Sequence, residues 1–153
     1  MILDQYVVNE HTLSLVPAKQ IEYDTIVYER DHTFYVRKTP LQIIKDSCLA
    51  NWHDYDGRRK GVMHKRNYRR KVPIPIDEER SIIAFPTHST QDFDCHWIIS
   101  LHILDIKPTP NANQAIIVFK NRLQLTLDVS AFILKTQFEK ALACMDYKAL
   151  LVP

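Results

Sequence analysis

At 153 residues, 46% of them hydrophobic and 25% charged, with a net charge of +2, the chain has the size and composition of one globular domain. Two glycines and three widely spaced cysteines exclude a Gly-rich phosphate loop, a dinucleotide fingerprint and a disulfide framework. No apolar run approaches the about 20 residues that cross a bilayer, and Met1–His11 lacks the features of a signal peptide, so a soluble cytoplasmic protein without a membrane partner is expected.

In chain order, Gln5–Val8 and Thr12–Val16 flank Asn9-Glu10-His11 and read as a first hairpin. Thr25–Glu29 and Thr33–Arg37, around Arg30-Asp31-His32, read as a second. Thr39-Pro40-Leu41-Gln42 carries a helix start, with Thr39 as N-cap, Pro40 at the first helical position and Gln42 completing a capping box. Leu41, Ile44, Cys48 and Trp52 recur at spacings of three and four, which predicts a helix running to about His53 with those residues on its buried face. Beyond Pro73 and Pro75 the pattern returns to strands. Ser81–Phe85 is short and apolar, and His96–Ile106 reads as one long strand buried on both sides. Ala115–Phe119 and Arg122–Val129 form a hairpin around Lys120-Asn121, with Leu123, Leu125, Leu127 and Val129 alternating with polar residues. Ser130 caps a last helix whose apolar face holds Leu134, Phe138, Ala141, Leu142 and Met145. The C-terminal Ala149-Leu150-Leu151-Val152-Pro153 is short and apolar and is expected to dock on the domain. With glycine so scarce, Asn and Asp are expected to take the left-handed turn positions. The fold class implied is α+β: a single domain over residues 1–153, mostly antiparallel sheet with two or three helices packed against it.

Charge is segregated. Gly57–Lys71 holds eight bases (Arg58, Arg59, Lys60, Lys65, Arg66, Arg69, Arg70 and Lys71) and no acid, which leaves twelve bases against eighteen acids in the rest of the chain. A base cluster without acids creates a local positive potential that attracts polyanions, and the arginine fork suits phosphates and base edges. Gly57 and Gly61 bracket Arg58-Arg59-Lys60 and let the backbone approach a phosphate; Tyr55, His64 and Tyr68 are interleaved and available for stacking or hydrogen bonding. All eight bases are candidate nucleic-acid contacts. If side chains of this segment enter a groove, Arg58 and Arg59 are the ones expected to carry sequence preference, while Lys65 and Lys71 are expected to touch phosphates alone.

His88, Cys95, His96 and His102 fall within fifteen residues, yet their spacing matches no common zinc pattern. Cys95, His88 and Asp92 could be arranged as a hydrolase on paper, but no nucleophile elbow supports it. These residues are expected to be structural, with no metal, no cofactor and no enzymatic activity.

Six segments together resemble the ComK family of competence transcription factors. They are Phe34-Tyr35-Val36 with Pro40-Leu41-Gln42-Ile43-Ile44; Asp46-Ser47-Cys48; Tyr55-Asp56-Gly57-Arg58-Arg59; Lys71-Val72-Pro73-Ile74; Phe85-Pro86-Thr87 with Ser89; and Cys95-His96-Trp97-Ile98. Their order and spacing agree over about residues 5–140. The resemblance implies an activator of DNA-uptake genes that binds double-stranded, A/T-rich DNA as cooperating dimers, largely through the minor groove, and that acts on the nucleoid. A-tracts suit this reading, because their narrow minor groove attracts inserted arginine. Val62 stands where relatives tend to carry Thr, and Val72 stands where a Pro is expected. The chain also ends at Pro153, without the longer tail that relatives present to a proteolytic adaptor, so adaptor-controlled degradation is not expected. Two other readings use the same residues: an RNA-binding module, and a short non-activating paralogue that dimerises with a longer activator.

Overall fold

A computed structural model describes the backbone of residues 2–151 and the side chains of residues 2–145. The terminal segment Ala149–Pro153, expected to dock on the domain, lies outside the described side chains.

The fold is α+β. A seven-stranded sheet is built from β1 (Ile2–Leu3), β2 (Thr12–Pro17), β3 (Thr25–Glu29), β4 (Thr33–Val36), β5 (Ile74–Asp77), β6 (Ile82–Pro86) and β7 (Trp97–Ile99), in the order β1-β4-β3-β2-β7-β6-β5. Among the described residues only the short β1–β4 pairing is parallel. A second sheet holds β8 (Ile103–Pro108), β9 (Ala115–Phe119) and β10 (Gln124–Leu127), with β9 central. The helices are α1 (Pro40–Ala50), α2 (Tyr55–Arg66) and α3 (Ala131–Leu151).

The large sheet has a core on each face. Along β6, Ile82 and Ala84 join one cluster while Ile83 and Phe85 join the other; on β7, Trp97 and Ile99 face opposite to Ile98. That is the period-two geometry of a pleated strand buried on both sides. The first face is covered by α1 and the start of α2, the second by α3 and the small sheet. Leu13 and Leu15, two apart on β2, nevertheless belong to opposite clusters. A register shift between Thr12 and Ser14 inserts one residue there and turns the face over.

Helix α1 starts as its sequence dictates. Gln42 N–H donates to Thr39 Oγ1 at 3.2 Å, Thr39 N–H donates to Gln42 Oε1 at 2.9 Å, and Pro40 takes the first turn. Its end differs from expectation. The helix stops at Ala50, and its buried side chains are Ile43, Ile44, Ser47 and Cys48, with Leu41 half-buried and Trp52 in solvent. Asp54 is the N-cap of α2, so the chain must leave the first helix within three residues of Ala50.

Gln5–Val8 is not a strand. Tyr6 and Val8 are buried and Val7 is exposed, so the alternation is real, but the segment's hydrogen bonds run to side chains. Val8 N–H donates to Ser47 Oγ at 2.9 Å, and the Tyr6 hydroxyl bridges Thr12 Oγ1 and Glu29. The ladder partners of β2 are β3 and β7 instead. The second expected hairpin is present as β3–β4, and the last as β9–β10.

The single long strand expected over His96–Ile106 is broken. Residues Ser100–His102 form a 3-10 turn that carries the chain from the large sheet into the small one. Ser100 Oγ donates to Ile83 O at 3.2 Å, and the buried His102 Nε2 donates to Glu10 O at 2.6 Å, which anchors the corner.

On α3, Ser130 accepts from Ile133 N–H at 3.2 Å as the expected cap. The buried stripe is Leu134, Gln137, Ala141 and Cys144, with Phe138 and Met145 half-buried and Leu142 turned outward. A polar residue occupies that stripe because Gln137 Nε2 donates to Lys71 O at 2.7 Å and to Pro86 O at 3.3 Å. Left-handed backbone occurs at Trp52, Asn67, Lys71, Ser81 and Arg122, while neither glycine has positive φ. Only Asn67 fits the expectation that Asn and Asp fill such positions.

Candidate nucleic-acid interface

The basic segment is a helix followed by a turn. Two glycines weaken a helix by about 1 kcal/mol each relative to alanine, so α2 depends on its ends and its contacts. Asp54 Oδ2 accepts from Gly57 N–H at 3.0 Å, Asp56 sits in the first turn, and His64, Lys65 and Arg66 occupy the last. The carboxylates of Asp54 and Asp56 at the start and the cations of Lys65 and Arg66 at the end each complement the macrodipole favourably. Asn67, left-handed at φ 58°, ends the helix.

One side of α2 faces the protein. Tyr55 is buried and meets Trp97 edge-on, with ring centroids 6.4 Å apart. The Arg58 guanidinium is held by Glu78 and by His53 Nε2. It therefore ties α2 to the turn that follows β5, and its side chain is only 21% exposed. Val62 packs toward the core beneath α3, and the Arg66 guanidinium donates to the carbonyl of Ala143 on that helix. Tyr68 is half-buried with Lys140 Nζ 5.2 Å from its ring centroid. Burial pushes both the Tyr55 and the Tyr68 phenol up; Tyr55 is enclosed and takes no part in the outer surface, while Tyr68 is half-buried under Lys140.

The opposite side is open. Lys60, His64 and Lys65 are exposed on α2, as are Arg69 and Arg70 in the turn, while Arg59 and Lys71 are half-buried. Of the eight candidate bases, Arg58 and Arg66 thus direct their forks at protein partners, Arg59 and Lys71 are half-buried, and Lys60, Lys65, Arg69 and Arg70 are exposed. Lys71 has φ 47°, and its carbonyl is held by Gln137, so α3 fixes the end of the turn. Both glycines lie within α2. A Cβ at Gly61 would meet nothing within 4 Å, and one at Gly57 would meet only Asp54.

Beside this glycine face runs a groove of about 470 Å³, whose lining includes Trp52, Asp54, Gly57, Gly61, Lys65 and Arg66 as well as the Arg58–Glu78 pair and Cys144. Trp52 is 95% exposed and was missed as a surface residue, because its spacing continues the apolar stripe of α1. The cap at Asp54, two residues on, was the available signal against that.

The histidines and Cys95 are each engaged locally. His96 Nδ1 donates to Asp94 O at 2.9 Å, and His88 Nδ1 meets Thr87 Oγ1 at 2.8 Å. Cys95 Sγ lies 3.4 Å from the backbone carbonyls of His88 and His96, not from an imidazole. Burial raises this thiol, the reverse of what a nucleophile needs. Among the described residues no group of three or more His, Cys, Asp or Glu side chains is placed to hold a metal ion, and no helix is long and apolar enough to cross a membrane.

Comparison with known proteins agrees with the resemblance read from the sequence. The family model described as ComK protein matches residues 3–148. The competence transcription factor of Bacillus subtilis (strain 168) is 31% identical over 129 residues, covering 84% of this chain and 67% of that protein. Among solved structures none gives a significant match. With a family match running from β1 into α3, and with the basic helix inside it, the chain belongs to the ComK family.

Proposed function

We propose that residues 1–153 act as one DNA-binding domain, a competence-type transcription activator that binds A/T-rich duplex DNA, largely through the minor groove, as a dimer or higher oligomer. The observation that carries this reading is the exposed surface of α2 and the segment after it, where Lys60, Lys65, Arg69 and Arg70 are exposed, Arg59 and Lys71 are half-buried, and no acid lies between Gly57 and Lys71. Phosphate contacts supply affinity and orientation, and contacts inside a groove supply sequence preference. Lys60, Lys65, Arg69 and Arg70 serve as the phosphate contacts, with Arg59 the arginine directed into the groove. Arg58 and Arg66 hold the helix in place beneath them. The protein works in the cytoplasm, on the nucleoid.

The test is a fluorescence-anisotropy titration of the whole chain at one fixed salt concentration against an A-tract/T-tract duplex, a G/C duplex and single strands of DNA and RNA. The A/T duplex binds tightest under this reading. Preference for single strands or A-form RNA would transfer the surface to RNA recognition. Absence of binding to any nucleic acid would leave a protein that acts only by pairing with another activator.

A further inference from the structure

Trp52 occupies a position that suits glycine. Helix α1 closes with His53 N–H donating to Cys48 O at 2.9 Å and Trp52 N–H donating to Leu49 O at 3.0 Å, and Trp52 itself has φ 65°. This is the Schellman arrangement, whose left-handed residue is usually glycine because any Cβ is disfavoured there. The side chain gains nothing from the core in return, since it is 95% exposed. Single exposed apolar side chains are common and need no explanation. A bulky aromatic in a left-handed position is less so, and such outliers cluster where a ligand is handled.

Gly61 is the converse. It sits inside a helix, where alanine is favoured, with φ negative and with open space where a Cβ would stand. Packing within the protein therefore does not require glycine there. These two unfavourable choices, an aromatic where glycine suits and a glycine where alanine suits, face the same groove, which Gly57 and Lys65 also line. Among the described residues of the groove, Asp54 caps α2 through Gly57 N–H, and Glu78 holds Arg58.

A flat aromatic platform, a strip of helix without Cβ atoms and a lysine at its edge together match one nucleotide unit: a base for the indole, a sugar-phosphate close to the backbone, a phosphate at the ammonium. We propose that Trp52 is a wedge that stacks into a base step of bound duplex DNA while the adjoining strand lies along the Gly57–Gly61 face of α2. The inference rests on the DNA-binding reading above and adds to it a side chain outside the basic segment. Apolar wedges of this kind unstack a step and kink the duplex, and they favour the flexible steps that give way most easily.

The chain has two tryptophans, and Trp97 is only 1% exposed, so a change in tryptophan emission on DNA addition reports chiefly on Trp52. Wild type, Trp52→Phe and Trp52→Ala are titrated with A/T duplexes, unlabelled and with 2-aminopurine at single steps, after circular dichroism confirms equal folding. Wild-type emission is expected to quench on binding, with 2-aminopurine brightening at one step. Trp52→Ala should weaken the duplex about tenfold, as loss of one stacked base does, and lose the brightening, while Trp52→Phe stays within about threefold of wild type. Equal binding by wild type and Trp52→Ala, with no quenching, would overturn the wedge and leave DNA binding standing. Wild type that binds no duplex would overturn both. A Trp52→Ala protein that changes its sedimentation but keeps its affinity per protomer would place Trp52 between copies of the chain and likewise overturn the wedge.

Discussion

Replacing Arg58 with Met separates a base that positions the helix from a base that touches DNA. The substitution keeps the aliphatic stem but removes the fork that joins Glu78 and His53. The pair is neither exposed nor buried, with Arg58 21% and Glu78 34% exposed. Exposed pairs contribute about 0.2–1 kcal/mol, and removing one partner of a fully buried pair costs about 3–5 kcal/mol. An intermediate site that loses two charge-assisted contacts should cost about 2 kcal/mol. For a chain of this length that is a fall in Tm of about 4–8 °C. Urea unfolding of wild type, Arg58→Met, Glu78→Gln and the double variant should give a coupling energy of about 1–1.5 kcal/mol. Lys60→Ala supplies the contrast: stability within about 0.5 kcal/mol, but weaker duplex binding and a salt slope shallower by about one. If Arg58→Met leaves the unfolding midpoint where it was and instead behaves like Lys60→Ala on DNA, the assignment of Arg58 to the scaffold is wrong.

Other outcomes follow from the same geometry. Log affinity for duplex should fall against log salt with a slope of about −4 to −5, the value for about five neutralised phosphates; a flat response would remove this surface from binding. Trp52→Gly should raise stability by about 0.5–1 kcal/mol in thermal or urea unfolding, because the left-handed backbone is relieved by more than the added freedom of the unfolded chain costs, and a loss of stability would contradict the exposed placement of the indole. Burial lowers the pKa of His96 and of His102, so the folded state resists protons that the unfolded state binds. Stability is then flat above about pH 6.5 and falls as pH drops below it; His102→Gln should flatten the decline between pH 7 and 5.5 in urea midpoints. The Cys48 thiol is pushed up to about 11 by burial and its side chain is fully enclosed, so it should react with a disulfide reagent at pH 8 only as fast as the protein opens, whereas rapid stoichiometric labelling of Cys48 in native protein would refute its burial.

The elements whose signals are local were legible in the chain. Thr39-Pro40-Gln42 states a helix start through its own hydrogen bonds, and Ser130 does the same for α3. The run Arg122–Val129 alternates and supplies β10 of the β9–β10 hairpin, with Leu127 inward. Alternation reports burial, however, and not pairing. Gln5–Val8 alternates as a strand would, yet Ser47, thirty-nine residues away from Val8, takes the hydrogen bond a ladder would have taken. The apolar run from His96 to Ile106 carries no mark of its break, because Ser100 and His102 find partners at Ile83 and Glu10 on other segments.

Charge segregation, the caps and the family pattern are properties of neighbouring residues along the chain, and the sequence by itself determined them: the α+β class, the basic segment as the candidate interface, and membership of the ComK family all stand on it. Which way each base points was decided only by tertiary structure. Arg58 and Lys60 are near neighbours on one helix, and nothing in their own composition says that one meets Glu78 and the other meets solvent. That outcome depends on where β5 and α3 come to lie against α2, contacts between residues twenty and seventy-seven positions apart. A one-dimensional pattern cannot carry such a contact, because its energy exists only after the chain has closed the loop between the partners.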